Sequence, residues 1–317
     1  MVEIPDAFVE AQLLFNGAEG RAFIEALPGR AAEFLDRWEL RPSGPAMHGV
    51  AALVLPVDRS DGTPAALKLQ PVDEETAGEP AALRAWGGRG CVRLLEHDEA
   101  TGTLLLERLD EHRHLSAVAA ADPRRAVQVI AELLARLTAV PAPPGMRGLG
   151  DMAAELLAAA PEAVEKLPGG RERGLLLDCA AALREVAGEP GDRLLHWDLH
   201  FDNVLAGGRE PWLAIDPKPL AGDPGFDLMP AIRNRFEYGE VRWRFDLMTE
   251  VLGLDRERAR GWTLGRVLQN CLWDIEDAED DGDGDGGGGD GDGGAGEVEY
   301  ELDEEQLAVA ELLLGRC

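Results

Sequence analysis

Apolar residues recur at helical spacing in AEGRAFIEALPGRAAEFLDR (18–37), a pattern interrupted at Pro28-Gly29. After Pro42-Ser43-Gly44-Pro45 the pattern changes to an apolar run, VAALVLPVD (50–58), then the turn signal Asp61-Gly62 and a second run, TPAALKLQPV (63–72). This predicts a β-hairpin. Residues 74–86 (EETAGEPAALRAW) predict a helix that begins properly near Pro80. CVRLLEHD (91–98) and TLLLERLD (103–110) predict two more strands around Ala100-Thr101-Gly102. Residues 1–110 are therefore expected to form a small mixed lobe of helix, hairpin, helix and hairpin.

From about residue 116 the period lengthens to that of long helices. RRAVQVIAELLARLTAV (124–140) is strongly amphipathic, and 151–167 and 173–187 follow, separated by the breakers PAPPG and LPGG. A short β-like section, 193–219, precedes further helices over 226–276 and 303–315. Residues 111–317 are thus expected to form a larger, mainly helical lobe, and the fold class is α+β. Between the last two helices lies a segment, 280–296, in which ten of the fifteen residues from Gly282 to Gly296 are glycine. It reads as a flexible surface insertion, because ordering it is costly and it has no apolar side chains to bury. Asp281, Asp283, Asp285, Gly286 and Asp292 match part of a calcium-loop spacing, but the closing Glu is absent, so calcium binding is the weaker reading.

Charge narrows the partners. The formal charge is −29, from 31 basic and 60 acidic residues. Sixteen of the acids fall between Asp274 and Glu305, which leaves 44 acids against 31 bases elsewhere. Nucleic acid and anionic membranes are poor partners for such a surface, and a cationic small molecule is a better one. No run approaches the length of a membrane span, and no signal-like N-terminal pattern is present, so the expected location is the cytoplasm. The four cysteines are scattered, with no CxxC pair.

The densest chemical signal is His196-Trp197-Asp198-Leu199-His200-Phe201-Asp202-Asn203, the H-x-D-L-x-x-x-N spacing of a kinase catalytic loop. A loop of that length aims one carboxylate, Asp198, at a hydroxyl nucleophile and one amide oxygen, Asn203, at a magnesium ion. Thirteen residues after Asn203 an apolar run delivers Asp216, placed for a second metal contact. The first lobe should then supply a lysine on a strand, and Lys68 in AALKL does so. Only three of the 31 basic residues are lysines, so a lysine among apolar neighbours stands out. Its carboxylate partner is expected to be Glu79, with Glu74 and Glu75 as alternatives.

HWDLHFDNVLAGGREPWLAIDPKPLAGDPGFDL, together with AWGGRGCVRLLEHD and LLLERLD, resembles the aminoglycoside phosphotransferases. The likeness is strongest to their streptomycin 6-kinase branch, which includes hydroxyurea phosphotransferases. It covers roughly residues 30–276 and resumes in the last helix. The resemblance implies a two-lobed, protein-kinase-like fold with ATP in the cleft. It implies Asp198 as catalytic base, Asn203 and Asp216 as Mg2+ ligands, and Lys68 with Glu79 at the phosphates. It also implies adenine contacts from the backbone of Glu107-Arg108-Leu109, with SGPAMHG (43–49) covering the phosphates. Two departures stand out: Trp197 replaces the more usual Gly, and SGPAMHG is not G-x-G-x-x-G.

The expected activity is therefore transfer of the γ-phosphoryl of ATP to a hydroxyl of a streptomycin-type aminoglycoside. Another small acceptor such as hydroxyurea or a sugar alcohol, or a nucleotide-binding pseudokinase scaffold, is the alternative. A guanidinium-bearing acceptor calls for acids in the helical lobe. The candidates are Glu237, Glu240, Asp274 and Glu276, with Trp273 or Trp243 as a wall. Lys218 reads equally as a phosphate contact or a surface lysine. Asp223 and Asp227 are expected to cap the next helix or anchor the catalytic loop.

Overall fold

The structure, a computed structural model, describes residues 2–284 and 300–316. In chain order it begins with α1 (Asp6–Arg37), β1 (Arg41–Pro42), β2 (Met47–His48), β3 (Leu53–Asp58), β4 (Pro64–Leu69), α2 (Glu79–Trp86), β5 (Leu94–Asp98), β6 (Thr103–Glu107) and β7 (Asp110–His114). Then follow α3 (Leu115–Ala121), α4 (Pro123–Leu137), α5 (Leu149–Lys166), α6 (Gly170–Val186), β8 (Arg193–Leu195), β9 (Val204–Ala206), β10 (Leu213–Ala214) and β11 (Leu220–Gly222). The chain closes with α7 (Met229–Arg233), α8 (Val241–Leu252), α9 (Arg256–Gly284) and α10 (Glu304–Leu314). It divides into two compact units: Met1–Leu115 with Asn203–Pro219, and Ser116–Asp202 with Leu220–Cys317.

The first unit holds an antiparallel sheet in the order β1-β3-β4-β6-β5, with β2 paired to β3. Side chains alternate along β3 and β4, so Leu53, Leu55 and Val57 join Ala65, Leu67 and Leu69 in one core. Phe23, Leu27, Ala31 and Phe34 of α1 cover that face. Lys68, between Leu67 and Leu69, must therefore point to the other face. The Asp61-Gly62 turn forms as expected, Gly62 taking φ +81. α1 runs through Pro28, where the sequence predicts an interruption, because Leu27 and Ala31 on either side are buried against the sheet. β7, a polar strand, was not expected. It pairs with β9 and draws the whole segment Asn203–Pro219 into the first unit, whereas the sequence groups that segment with the helical lobe.

The second unit is helical, with the short pair β8–β11 set among its helices. α6 and α9 pack together, and Gly261 and Gly265 on α9 let Val186 and Leu183 of α6 approach closely. α9 continues to Gly284, a few residues into the predicted insertion, and the remainder of 280–296, including most of the calcium-like spacing, lies outside the described residues. No helix among the described residues is long and apolar enough to cross a membrane.

Candidate active site

In the first unit, Lys68 Nζ donates to both oxygens of Glu79 at 2.8 Å and to Asp216 Oδ1 at 2.5 Å. α2 begins at Glu79, which places that carboxylate against the free face of β4. Gln70, two residues along the same face as Lys68, donates to Glu79 at 2.7 Å and fixes its orientation. Burial opposes the charge on Lys68, but the carboxylates of Asp216 and Glu79 outweigh it and hold its pKa above the ordinary lysine value. The choice among three acids left by the sequence is therefore Glu79. Glu75 pairs instead with Lys218 at 2.8 Å, which gives that lysine a partner on the surface.

Asp216 and Asn203 lie at the same end of the β9–β10 pair. Val204 is opposite Ala214, and Ile215 N–H donates to the Asn203 carbonyl at 2.9 Å. Asp216 follows at φ +57, a left-handed turn that throws its carboxylate off the strand line toward Lys68. One carboxylate and one amide oxygen on a common edge form the sparse oxygen set that Mg2+ takes when phosphate oxygens and water complete its shell. These residues fit the ion.

Glu107 and Leu109 flank the end of β6. The Glu107 carboxylate pairs with Arg209 at 2.5 Å and accepts from Arg93 N–H, while its own N–H donates to the Arg93 carbonyl. Both its side chain and its N–H are therefore engaged within the protein, whereas no hydrogen bond among the described residues occupies the backbone of Leu109. Arg209 also donates to the carbonyls of Gly88 and Cys91, stitching this connection to the β9–β10 loop.

In the second unit, Asp227 lies fully buried beneath the catalytic loop. It accepts from His196 N–H at 2.8 Å and Trp197 N–H at 2.5 Å. Burial pushes its carboxyl up to about 7, against those two hydrogen bonds and Arg266, which favour the charged form. Asp223 instead caps the following turn through Gly225 N–H and pairs with Arg258, so the two acids divide the two roles expected of them. Trp197 is buried at φ +66, and its indole is sandwiched between the guanidiniums of Arg147 at 4.4 Å and Arg266 at 4.7 Å. This accounts for an aromatic side chain at a position that otherwise suits glycine: cation–π stacking and burial compensate the backbone strain.

Asp198 opens onto a cavity of about 580 Å³ within the same unit. Its wall includes His200, Arg266, Asn270, Trp273, Asp274 and Asp277, and α10 contributes Glu305 and Gln306. Of the acids expected at the acceptor, only Asp274 lies here. Glu240 is taken by the buried Arg244 at 2.6 Å, and Glu237 and Glu276 are exposed away from the cavity. Trp273 forms part of the wall, whereas Trp243 stacks with Arg124. Asp277, Glu305 and Gln306 were not foreseen. Asp277 carried a usable signal, because positions 266, 270, 273 and 277 share one face of a helix while 276 does not.

A strand lysine fixed by a helix carboxylate, a catalytic-loop aspartate with its backbone anchored from below, and a paired Asn and Asp define a phosphotransferase of protein-kinase-like fold. Solved structures agree on the fold. A choline/ethanolamine kinase family protein from Mesorhizobium loti superposes with a TM-score of 0.61 at 17% identity, over 90% of this chain and 94% of that one. A fructosamine-3-kinase-like protein from Thermobifida fusca gives 0.54 at 19%, over 90% and 98%. By sequence, residues 37–278 match the aminoglycoside/hydroxyurea antibiotic resistance kinases, and the chain belongs to that family. A hydroxyurea phosphotransferase from Kitasatospora aureofaciens is 66% identical over the full chain and 87% of its own length. A streptomycin 6-kinase from Streptomyces glaucescens is 56% identical over 87% of this chain and 92% of its own.

Proposed function

We propose that the protein transfers the γ-phosphoryl of ATP, with Mg2+, to a hydroxyl of an aminoglycoside or aminocyclitol of the streptomycin type, in the cytoplasm. The observation that carries this reading is the cavity at Asp198. At about 580 Å³ it has the size of a pocket for a drug-sized ligand. Asp274, Asp277 and Glu305 bring carboxylates to it alongside Arg235, with Arg233 paired to Asp303 and Arg266 stacked on Trp197, and Gln306 brings a buried amide oxygen with no hydrogen-bond partner among the described residues. That lining suits a polyhydroxylated molecule bearing guanidinium or ammonium groups. Asp198 orients or deprotonates the acceptor hydroxyl, and Lys68, held by Glu79, contacts the nucleotide phosphates. Asn203 and Asp216 hold Mg2+, which supplies charge neutralisation on the phosphates.

Hydroxyurea is the second reading, favoured by the 66% identity to a hydroxyurea phosphotransferase over the whole chain. A molecule of a handful of non-hydrogen atoms would leave most of the cavity to water. The test is Mg·ATP-dependent phosphorylation of a panel holding streptomycin, other aminoglycosides, hydroxyurea and simple polyols, with Asp198→Ala as control. Turnover of streptomycin that the variant loses supports the first reading. Turnover of hydroxyurea alone replaces it with the second, and ATP binding with no turnover of any acceptor points to a scaffold.

A further inference from the structure

α1 is not one straight helix. Gly17, at φ +48 and ψ −119, breaks it into two arms that fold back on each other. Phe8 meets Phe23 edge-on with centroids 6.4 Å apart, and a Cβ on Gly20 would lie 2.0 Å from the Gln12 carbonyl oxygen. The residue numbers of these pairs rise on one arm as they fall on the other, the mark of an antiparallel helical hairpin. Only glycine at position 20 permits that approach.

The first arm reaches the turn between β2 and β3. Gln12, 1% exposed, donates from Nε2 to the Val50 carbonyl at 2.8 Å. Its amide is oriented by Asn16, which donates to Gln12 Oε1 at 3.2 Å. Phe8, fully buried, packs against the ring of His48 at 5.5 Å. The turn itself is closed by Gly49 N–H to the Ala52 carbonyl at 3.0 Å. It reads Gly49-Val50-Ala51-Ala52, with one glycine where a phosphate-covering turn of a kinase has several. The family match begins at residue 37, so the arm lies outside it.

We propose that the first arm of α1 is a strap on the nucleotide side of the site. In this proposal Gln12 is a positioning residue that holds the β2–β3 turn in the conformation that receives the ATP phosphates. It rests on extending the phosphate cover read for SGPAMHG (43–49) to the turn that continues from its Gly49. A turn poor in glycine cannot rely on backbone freedom to wrap a triphosphate. Here the Val50 carbonyl is fixed from outside by Gln12, so the neighbouring N–H groups are presented in one arrangement before ATP arrives, which lowers the ordering cost of binding.

The test replaces Gln12 with Met, which keeps the length and loses the donor, and with Glu, which keeps the shape and loses the donor when ionised. Amide hydrogen exchange over 47–53 is followed in the full chain, and KM for ATP and for the acceptor are measured separately. Expected are faster exchange of the turn amides and a KM for ATP raised about fivefold, the factor that one net hydrogen bond contributes. The acceptor KM should stay as in the wild type. Unchanged turn exchange with an unchanged ATP KM overturns the strap. So does a joint rise of both KM values with a lowered melting temperature, which describes general destabilisation. A wild-type chain that phosphorylates nothing defeats the kinase reading instead, and the exchange comparison still decides whether Gln12 holds the turn.

Discussion

Glu79→Gln and Asp216→Asn should separate stability from activity, although both remove a carboxylate from the same ammonium. The Glu79 side chain is 1% exposed and that of Asp216 is 47% exposed, while Lys68 between them is 5% exposed. A glutamine at 79 must turn an NH2 toward either Lys68 Nζ or Gln70 Nε2, both of which donate to Glu79 in the native site. Breaking a buried pair costs about 3–5 kcal/mol, and because Asp216 still faces Lys68 the lower end applies, about 3 kcal/mol. Asp216 is half in water and its removal leaves the Lys68–Glu79 pair whole, so its loss should cost about 1 kcal/mol or less. Activity should rank the other way. Asp216→Asn removes the proposed Mg2+ ligand and should lower kcat by about 100-fold or more, whereas Glu79→Gln leaves that carboxylate in place and should lower it about tenfold. Urea denaturation at pH 7 gives the stabilities and the phosphorylation assay gives the rates. Lys68 has its pKa raised, so its contribution is complete below the ordinary lysine pKa and is lost only as pH rises through the higher folded value. Measurement at pH 7 is therefore clear of that titration. Equal destabilisation by the two variants, or a Glu79→Gln chain within about 1 kcal/mol of wild type, would falsify the assignment of Glu79 as the buried structural partner.

Three further outcomes follow from the second unit and the β6 connection. Asp227 has a folded pKa near 7, raised from 3.8, so the native state binds the extra proton and loses up to about 4 kcal/mol of stability as pH rises from about 4 to about 7. Asp227→Asn should flatten that slope in denaturation curves run across pH 5–8, and parallel curves for the two chains would show that Asp227 does not titrate there. Trp197→Gly relieves about 1–2 kcal/mol of left-handed backbone strain but forfeits about 3–5 kcal/mol of buried aromatic packing, so the variant should be about 2 kcal/mol less stable. A stabilised variant would show that the Arg147–Trp197–Arg266 stack contributes nothing. Arg209→Ala leaves the Glu107 carboxylate with only the Arg93 N–H and two carbonyls without their guanidinium donor, and should cost about 2 kcal/mol in denaturant unfolding, with no change in acceptor KM.

The parts of the molecule legible from sequence are those where one physical rule acts alone. Two apolar runs joined by Asp61-Gly62 placed β3 and β4, and the scarcity of lysine marked Lys68 among its apolar neighbours. The five-residue spacing from Asp198 to Asn203 marked the candidate catalytic loop because the chemistry dictates the spacing. The first arm of α1 was not legible because its inward residues are Phe8 and Gln12, one of them polar, while Leu14 and Phe15 face out, so no apolar stripe exists to be found. β7 escaped notice for a related reason: Asp110–His114 is wholly polar and becomes a strand only by pairing with β9, nearly a hundred residues later in the chain.

The acceptor wall shows a different kind of difficulty. In so acidic a chain the presence of a carboxylate carries almost no information, and its position on a helix carries nearly all of it. Asp274 and Asp277 are one helical turn apart and share a face with Arg266, Asn270 and Trp273, whereas Glu276 points elsewhere on the same helix. Glu240 stood on an equal footing in the sequence, but it is already paired with Arg244. The acids that line the cavity therefore come from α9 and the start of α10, and burial pushes the Asp274 carboxyl above its ordinary value. A cation seated against Asp274 would reverse that shift. Binding of a guanidinium-bearing acceptor should accordingly release protons when measured just above the free carboxyl's raised pKa only weakly, and more strongly below it, because there the site must first ionise. Calorimetry in buffers of different ionisation enthalpy reads that proton release directly. A pH-independent count of zero, obtained with an acceptor that binds and is phosphorylated, would remove Asp274 from the acceptor site.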